Sequence, residues 1–213
     1  MTYSYCFKMI EQTYLQRFST DPETFLGQIL VPSIDLILIG EDHFKPIHAK
    51  NEFRLIEEAI RTRGRVQIGI EYMDSRDSAL FKNGSRTQIL NEIEKVYGHD
   101  SDESRAIIPK VEFALDRHLP VIPLSLDERA GEYDNLEKEN HISGELSRIT
   151  NRDILTLALL GNAHLSLPER ELIPSLKYPK ERTVCVLQNT EYAPGIETVF
   201  GKDRLTFRLN QWL

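Results

Sequence analysis

Four short stretches hold the side chains able to do acid–base or metal chemistry: Gly40-Glu41-Asp42-His43, Glu71, Asp127-Glu128-Arg129 and Gly161-Asn162-Ala163-His164. Imidazole and carboxylate are the groups with which enzymes move a proton or hold a divalent ion. Glu41 and His43 are two apart, so in a chain still extended they project to the same side and can share one metal ion or one proton. His48 follows five residues after His43 as a further ligand or a substrate contact. Taken singly, each stretch has a structural alternative: Asp127 can cap a following helix, and a glycine can simply make a turn. The chain has no Gly-x-Ser-x-Gly and no active-looking cysteine, so covalent serine or cysteine catalysis is not expected.

These residues are positioned by apolar runs rich in Val, Ile and Leu. Residues 34–39, 66–71, 121–126 and 154–160 are continuous rather than alternating, which suits strands covered on both faces. Each run ends at one of the four stretches. Between the first two, residues 46–63 carry a helical stripe of Ile47, Leu55, Ile56, Ala59 and Ile60 behind a first-turn proline. Further helices are expected over residues 87–97, 103–118 (with Pro109 bending it or delaying its start), 140–151 and 168–176, and further strands over 183–188 and 205–209. Strands alternating with helices imply parallel pairing. The expected fold is a three-layer α/β/α domain with a mostly parallel central sheet, in which all strand carboxyl ends lie along one ligand-binding edge. Residues 1–213 read as a single domain, with residues 1–30 a helical covering segment or a dimer arm and Asp21-Pro22-Glu23 a helix start.

Thirty-three acidic against 26 basic residues give a formal charge of -7 with no sustained basic run, which argues against nucleic acid as a partner. The longest uncharged apolar stretch is far short of the roughly 20 residues that cross a bilayer. Residues 1–8 lack the pattern of a secretory signal, so a cytoplasmic location is expected. Cys6 and Cys185 are too few for a disulfide framework or a thiolate zinc site, and Cys185 reads as a small core hydrophobe. His118 is expected at a helix carboxyl end, and His99 and His141 in solvated polar stretches.

Four runs resemble the ChaN-like branch of the erythromycin esterase, ChaN and Tiki/TraB superfamily. They are Ile39-Gly40-Glu41-Asp42-His43 followed by His48, Gly69-Ile70-Glu71-Tyr72-Met73-Asp74, Val121-Ile122-Pro123-Leu124, and Leu159-Leu160-Gly161-Asn162-Ala163-His164-Leu165. The resemblance implies an α/β sheet domain with a pocket over the strand ends. Members of that superfamily differ: some resemble metal-dependent proteases, some are esterases with a histidine base and no metal, and ChaN-type proteins bind haem at an outer membrane. The residues before Cys6 supply no apolar signal segment, so haem transport at a membrane, as by the haem-binding lipoproteins, is not expected.

Two hydrolytic mechanisms and a non-catalytic rival follow. In the first, His43, His164 and Glu41, joined by Glu71 or Asp127, hold manganese or zinc, and the ion activates a water for attack on an ester or amide. In the second, His43 is a general base, Glu71 or Glu41 orients its imidazole, and Arg129 or His164 stabilises the oxyanion. Either would act on a small-molecule or peptide substrate. In the rival, the pocket binds haem, with Tyr72 or His48 as the cofactor contact. A decayed site serving as a partner interface is the remaining alternative.

Overall fold

A computed structural model describes residues 22–126, 134–166, 176–188 and 205–209. Six strands form its sheet: β1 (Leu36–Glu41), β2 (Val66–Asp74), β3 (Val121–Ser125), β4 (Leu155–Gly161), β5 (Thr183–Gln188) and β6 (Leu205–Leu209). Their order is β3-β2-β4-β1-β5-β6, and every pairing is parallel. The helices are α1 (Pro22–Ile29), α2 (Pro46–Arg63), α3 (Ser78–Asn83), α4 (Arg86–Tyr97), α5 (Asp102–Asp116), α6 (Asn135–Ile149) and α7 (Asn162–Ser166).

Every residue of β1, β4 and β5 is buried, because helices cover both faces. Alternate strand residues enter different cores. Ile37, Ile39, Ile68, Leu157 and Val186 pack with apolar residues of α1 to α5 on one face. Leu36, Leu38, Ala158, Leu160 and Cys185 pack with α6 and Leu165 of α7 on the other. Truncating one such Leu or Ile to Ala costs about 2–5 kcal/mol. The arrangement is the expected three-layer α/β/α fold. Among the described residues no helix is long and apolar enough to cross a membrane.

Element ends follow local chemistry. Pro46 opens α2 at the first helical position, and Gly64 at φ 71° closes it in a conformation that favours glycine. α6 begins at Asn135, five residues before the expected 140, because Asp134 and Glu137 form a capping box. Pro109 neither delays nor splits α5, which runs from Asp102 with Ser101 as its cap. β2 runs three residues past its expected end, to Asp74, where the pairing with β3 shifts register. The short helix α3 was not anticipated. The expected helix at 168–176 falls largely outside the described residues, as do residues 1–21 of the expected covering segment, although α1 starts at Pro22 as its sequence suggests. His118 follows α5 with a positive φ of 55°. His141 is half-buried rather than solvated, with Nε2 3.0 Å from the Ser75 hydroxyl.

Candidate active site

β1 and β4 are neighbours in register, Glu41 beside Gly161. The chain leaves β1 into α2, on one face, and leaves β4 into α7, on the other. Such a divergence opens a crevice at the carboxyl ends of adjacent parallel strands. The two Gly-x-x-His stretches flank it and interlock. A Cβ on Gly40 would lie 2.5 Å from Oδ1 of Asn162, and one on Gly161 would lie 2.9 Å from Nε2 of His43. Each glycine thus makes room for a side chain of the opposite stretch.

On the α2/α5 side, Glu41 is buried and its Oε1 lies 2.9 Å from Nδ1 of His43. The Tyr72 hydroxyl donates to the same oxygen at 3.4 Å, and the Tyr72 ring meets the His43 ring edge-on at 4.4 Å. Oε2 of Glu41 pairs with the ammonium of Lys110, whose side chain is 3% exposed on α5. Lys110 also lies 3.3 Å from Oε2 of Glu52 on α2. Burial disfavours charge on Glu41, but the His43 hydrogen bond and the Lys110 charge outweigh it and hold the carboxyl far below its usual range. Burial and the adjacent Glu41 charge push Glu52 well above it, which favours its neutral form. Gln188 donates to Oε1 of Glu52 at 2.9 Å, and Asn51 donates to Gln188 at 3.1 Å.

Glu71 faces the opposite layer. Its Oε1 lies 2.5 Å from Nε2 of His164, its Oε2 accepts the Gly161 amide at 2.6 Å, and Nδ1 of His164 lies 2.6 Å from Glu139 of α6. Burial opposes the charge of both partners. It is outweighed on Glu71 by the His164 charge and hydrogen bond and by the Gly161 amide, which bring its pKa down to about 2. On His164 it is outweighed by the Glu71 charge and the two carboxyl hydrogen bonds, which take its pKa up to about 10. His164 is therefore an imidazolium with both nitrogens engaged.

Three of the four expected stretches thus converge, His43 and Glu71 meeting at Gly161. Glu41, not Glu71, hydrogen-bonds His43. Among the described residues no three metal-binding side chains come together; His164 is engaged by Glu71 and Glu139, and Glu41 by Lys110 and His43. Asp127 and Arg129 lie outside the described residues. His48 is buried on α2 and accepts the Asp42 amide at Nδ1, 2.8 Å away, so it holds the turn that carries His43. Burial lowers its pKa, and its Nε2 has no hydrogen-bond partner among the described residues.

Lys110, Glu52 and Glu139 were not singled out from the sequence, yet each had a signal. They lie at helical spacing among apolar residues, Lys110 between Ile107 and Ala114, Glu52 ahead of Leu55 and Ile56, and Glu139 ahead of Ile142 and Leu146. A charge on the buried stripe of a helix needs a buried partner.

Beside His43 opens a cavity of about 450 Å³, walled by α2, α5 and the turn that carries His43. The His43 side chain is 23% exposed and lines it, whereas Tyr72 and His48 do not. The arrangement can hold one imidazole at the edge of a cavity, backed by a buried, ionised carboxylate.

No protein-family model matches the chain, and no curated protein does. Solved structures resemble its fold. The type III effector HopBA1 aligns with a TM-score of 0.56 at 12% identity, covering 91% of this chain and 95% of its own. A ChaN protein of Campylobacter jejuni, described as binding haem cofacially, aligns with a TM-score of 0.56 at 15% identity over 81% of this chain and 87% of its own.

Proposed function

We propose that this chain hydrolyses an ester or amide bond by histidine-assisted attack of water, at the crevice between β1 and β4. The observation that carries the reading is the His43–Glu41 pair: Glu41 fixes Nδ1 at 2.9 Å, leaving Nε2, which faces Gly161 across the crevice, as the proton acceptor. Water adds to the carbonyl carbon as His43 takes its proton. The carbon–oxygen or carbon–nitrogen bond then breaks, and the proton passes to the departing alkoxide or amine. Glu41 stabilises the imidazolium formed in between. Arg129, in the chain segment after β3, is the proposed cation for the oxyanion. A cavity of this volume suits a small molecule or one side chain of a peptide.

Turnover of para-nitrophenyl esters or of a fluorogenic amide library by wild type, His43→Ala and Glu41→Gln tests the reading. His43→Ala should lose about 10²–10⁴ in kcat while keeping its far-ultraviolet circular dichroism. Full activity in a folded His43→Ala variant refutes it.

A second reading, haem binding, is favoured by the fold shared with the Campylobacter jejuni ChaN protein and by Phe44, 59% exposed beside His43. Its mark is a Soret band on titration with haem that His43→Ala removes. The Tyr72 hydroxyl faces Glu41, which disfavours it as the axial group.

A further inference from the structure

The cavity beside His43 is a groove between two helix faces. Pro46, Ala49, Lys50 and Phe53 succeed one another at i, i+3, i+4 and i+7 along α2, and Asp102, Arg105, Ala106 and Pro109 repeat that spacing along α5. His43 and Phe44, just ahead of α2, form one end, and Phe53, stacked on Phe113 at 4.2 Å, lies farthest along α2. The chain as a whole carries a charge of -7, yet this groove is lined by Lys45, Lys50 and Arg105 against Asp102 alone. The three cations differ in how they are held. Lys45 is tied to Asp42 at 3.0 Å, whereas Arg105 is 3.8 Å from Asp102 with both side chains well exposed, and Lys50 meets no carboxylate among the described residues. The amino end of α2, which opens at the same place, has neither a side-chain cap nor an acidic residue in its first turn. Apolar walls concentrate the field of such charges.

We propose that this groove takes amphipathic anions. An apolar segment of the substrate lies against Phe44 and Ala49, and a carboxylate or phosphate beyond it is clamped by Lys50 and Arg105 from opposite helices, with the scissile carbonyl at His43. Lys50 is four residues past Pro46, roughly 6 Å along the helix axis, so the anion lies about one helical turn beyond the His43 end of the groove, across a short spacer. The inference rests on the hydrolytic reading and names its substrate class.

Para-nitrophenyl hexanoate and mono-para-nitrophenyl adipate differ in a terminal methyl against a terminal carboxylate, and comparing them tests the clamp. Corrected for spontaneous hydrolysis, wild type should prefer the adipate at least about fivefold in kcat/KM, the sum of two partly exposed charge contacts. The Lys50→Glu/Arg105→Glu variant should bring that ratio to one or below, and added salt should shrink it in wild type. Turnover that needs His43 but shows no preference overturns the groove assignment and leaves the hydrolytic reading standing. Turnover unchanged in His43→Ala overturns the hydrolytic reading instead. Calorimetry with phenylbutyrate and phenylbutanol then decides the groove without chemistry: tighter binding of the acid, lost in the double variant, supports it, and equal or absent binding of the two overturns it.

Discussion

Of Glu41, His43, Glu71 and His164, His43 alone lines the cavity, and the other three are held by buried or largely buried ion pairs. Chemistry is therefore expected at His43, with His164 as an internal tie. Glu71→Gln separates the two roles. It removes the charge that raises the His164 pKa to about 10, so the His164 imidazole should titrate well below that value, read from its proton resonances across pH. Breaking one side of a buried ion pair should also cost about 3–5 kcal/mol in urea unfolding. A His164 titration that does not move would mean that Glu71 is not its counter-ion.

At the scale of elements, α2 and α5 each push one ionisable side chain through their apolar stripe to the same carboxylate. Burial and the Glu41 charge raise the Glu52 pKa and favour its neutral form, while on Lys110 the charges of Glu52 and Glu41 outweigh burial and favour its charged form, so the two should respond differently to removal. Glu52→Gln preserves the acceptor for Gln188 and deletes no charge, so stability at pH 7 should stay within about 1 kcal/mol of wild type. Lys110→Met leaves Glu41 ionised against an apolar wall or forces a proton onto it. It should cost about 3–5 kcal/mol and move the acid limb of the kcat profile to higher pH, with Lys110→Arg restoring part of both. Equal losses from Glu52→Gln and Lys110→Met would show that Glu52 is charged. Lys110 is thus a positioning residue, acting on His43 through Glu41.

Across the whole molecule these shifts set a pH dependence of stability. Glu41 and Glu71 have folded pKa values below the usual 4.5, so their contribution is full above that value and is lost as pH falls, for Glu71 through about 2. His164 is raised from 6.5 to about 10, so its contribution is full below 6.5 and is lost as pH rises through about 10. Glu52, raised from 4.5, also favours the folded state less as pH climbs. Maximum stability is expected between about pH 5 and 6.5, with a fall of several degrees in Tm by pH 9.5, since each kcal/mol is about 2–4 °C for a chain of this size. Scanning calorimetry from pH 4 to 10 checks it; a Tm flat from pH 6.5 to 9.5 would contradict the charged His164.

The strands with residues buried throughout, the helix at residues 46–63 and the run of ionisable groups after each apolar segment were legible in the chain, because local periodicity and punctuation depend on neighbours a few positions away. Glu41, His43, Glu71 and His164 could be named on that ground alone. Of their pairings, spacing suggested that of Glu41 with His43 and did not decide the others. That His164 would be locked between Glu71 and Glu139 and that Lys110 would cross from a helix to neutralise Glu41 both follow from the strand order β2-β4-β1 and from which face each helix covers. Strand order is set by long-range packing, and charge states by burial, and neither is written in the spacing of residues along a single strand or helix.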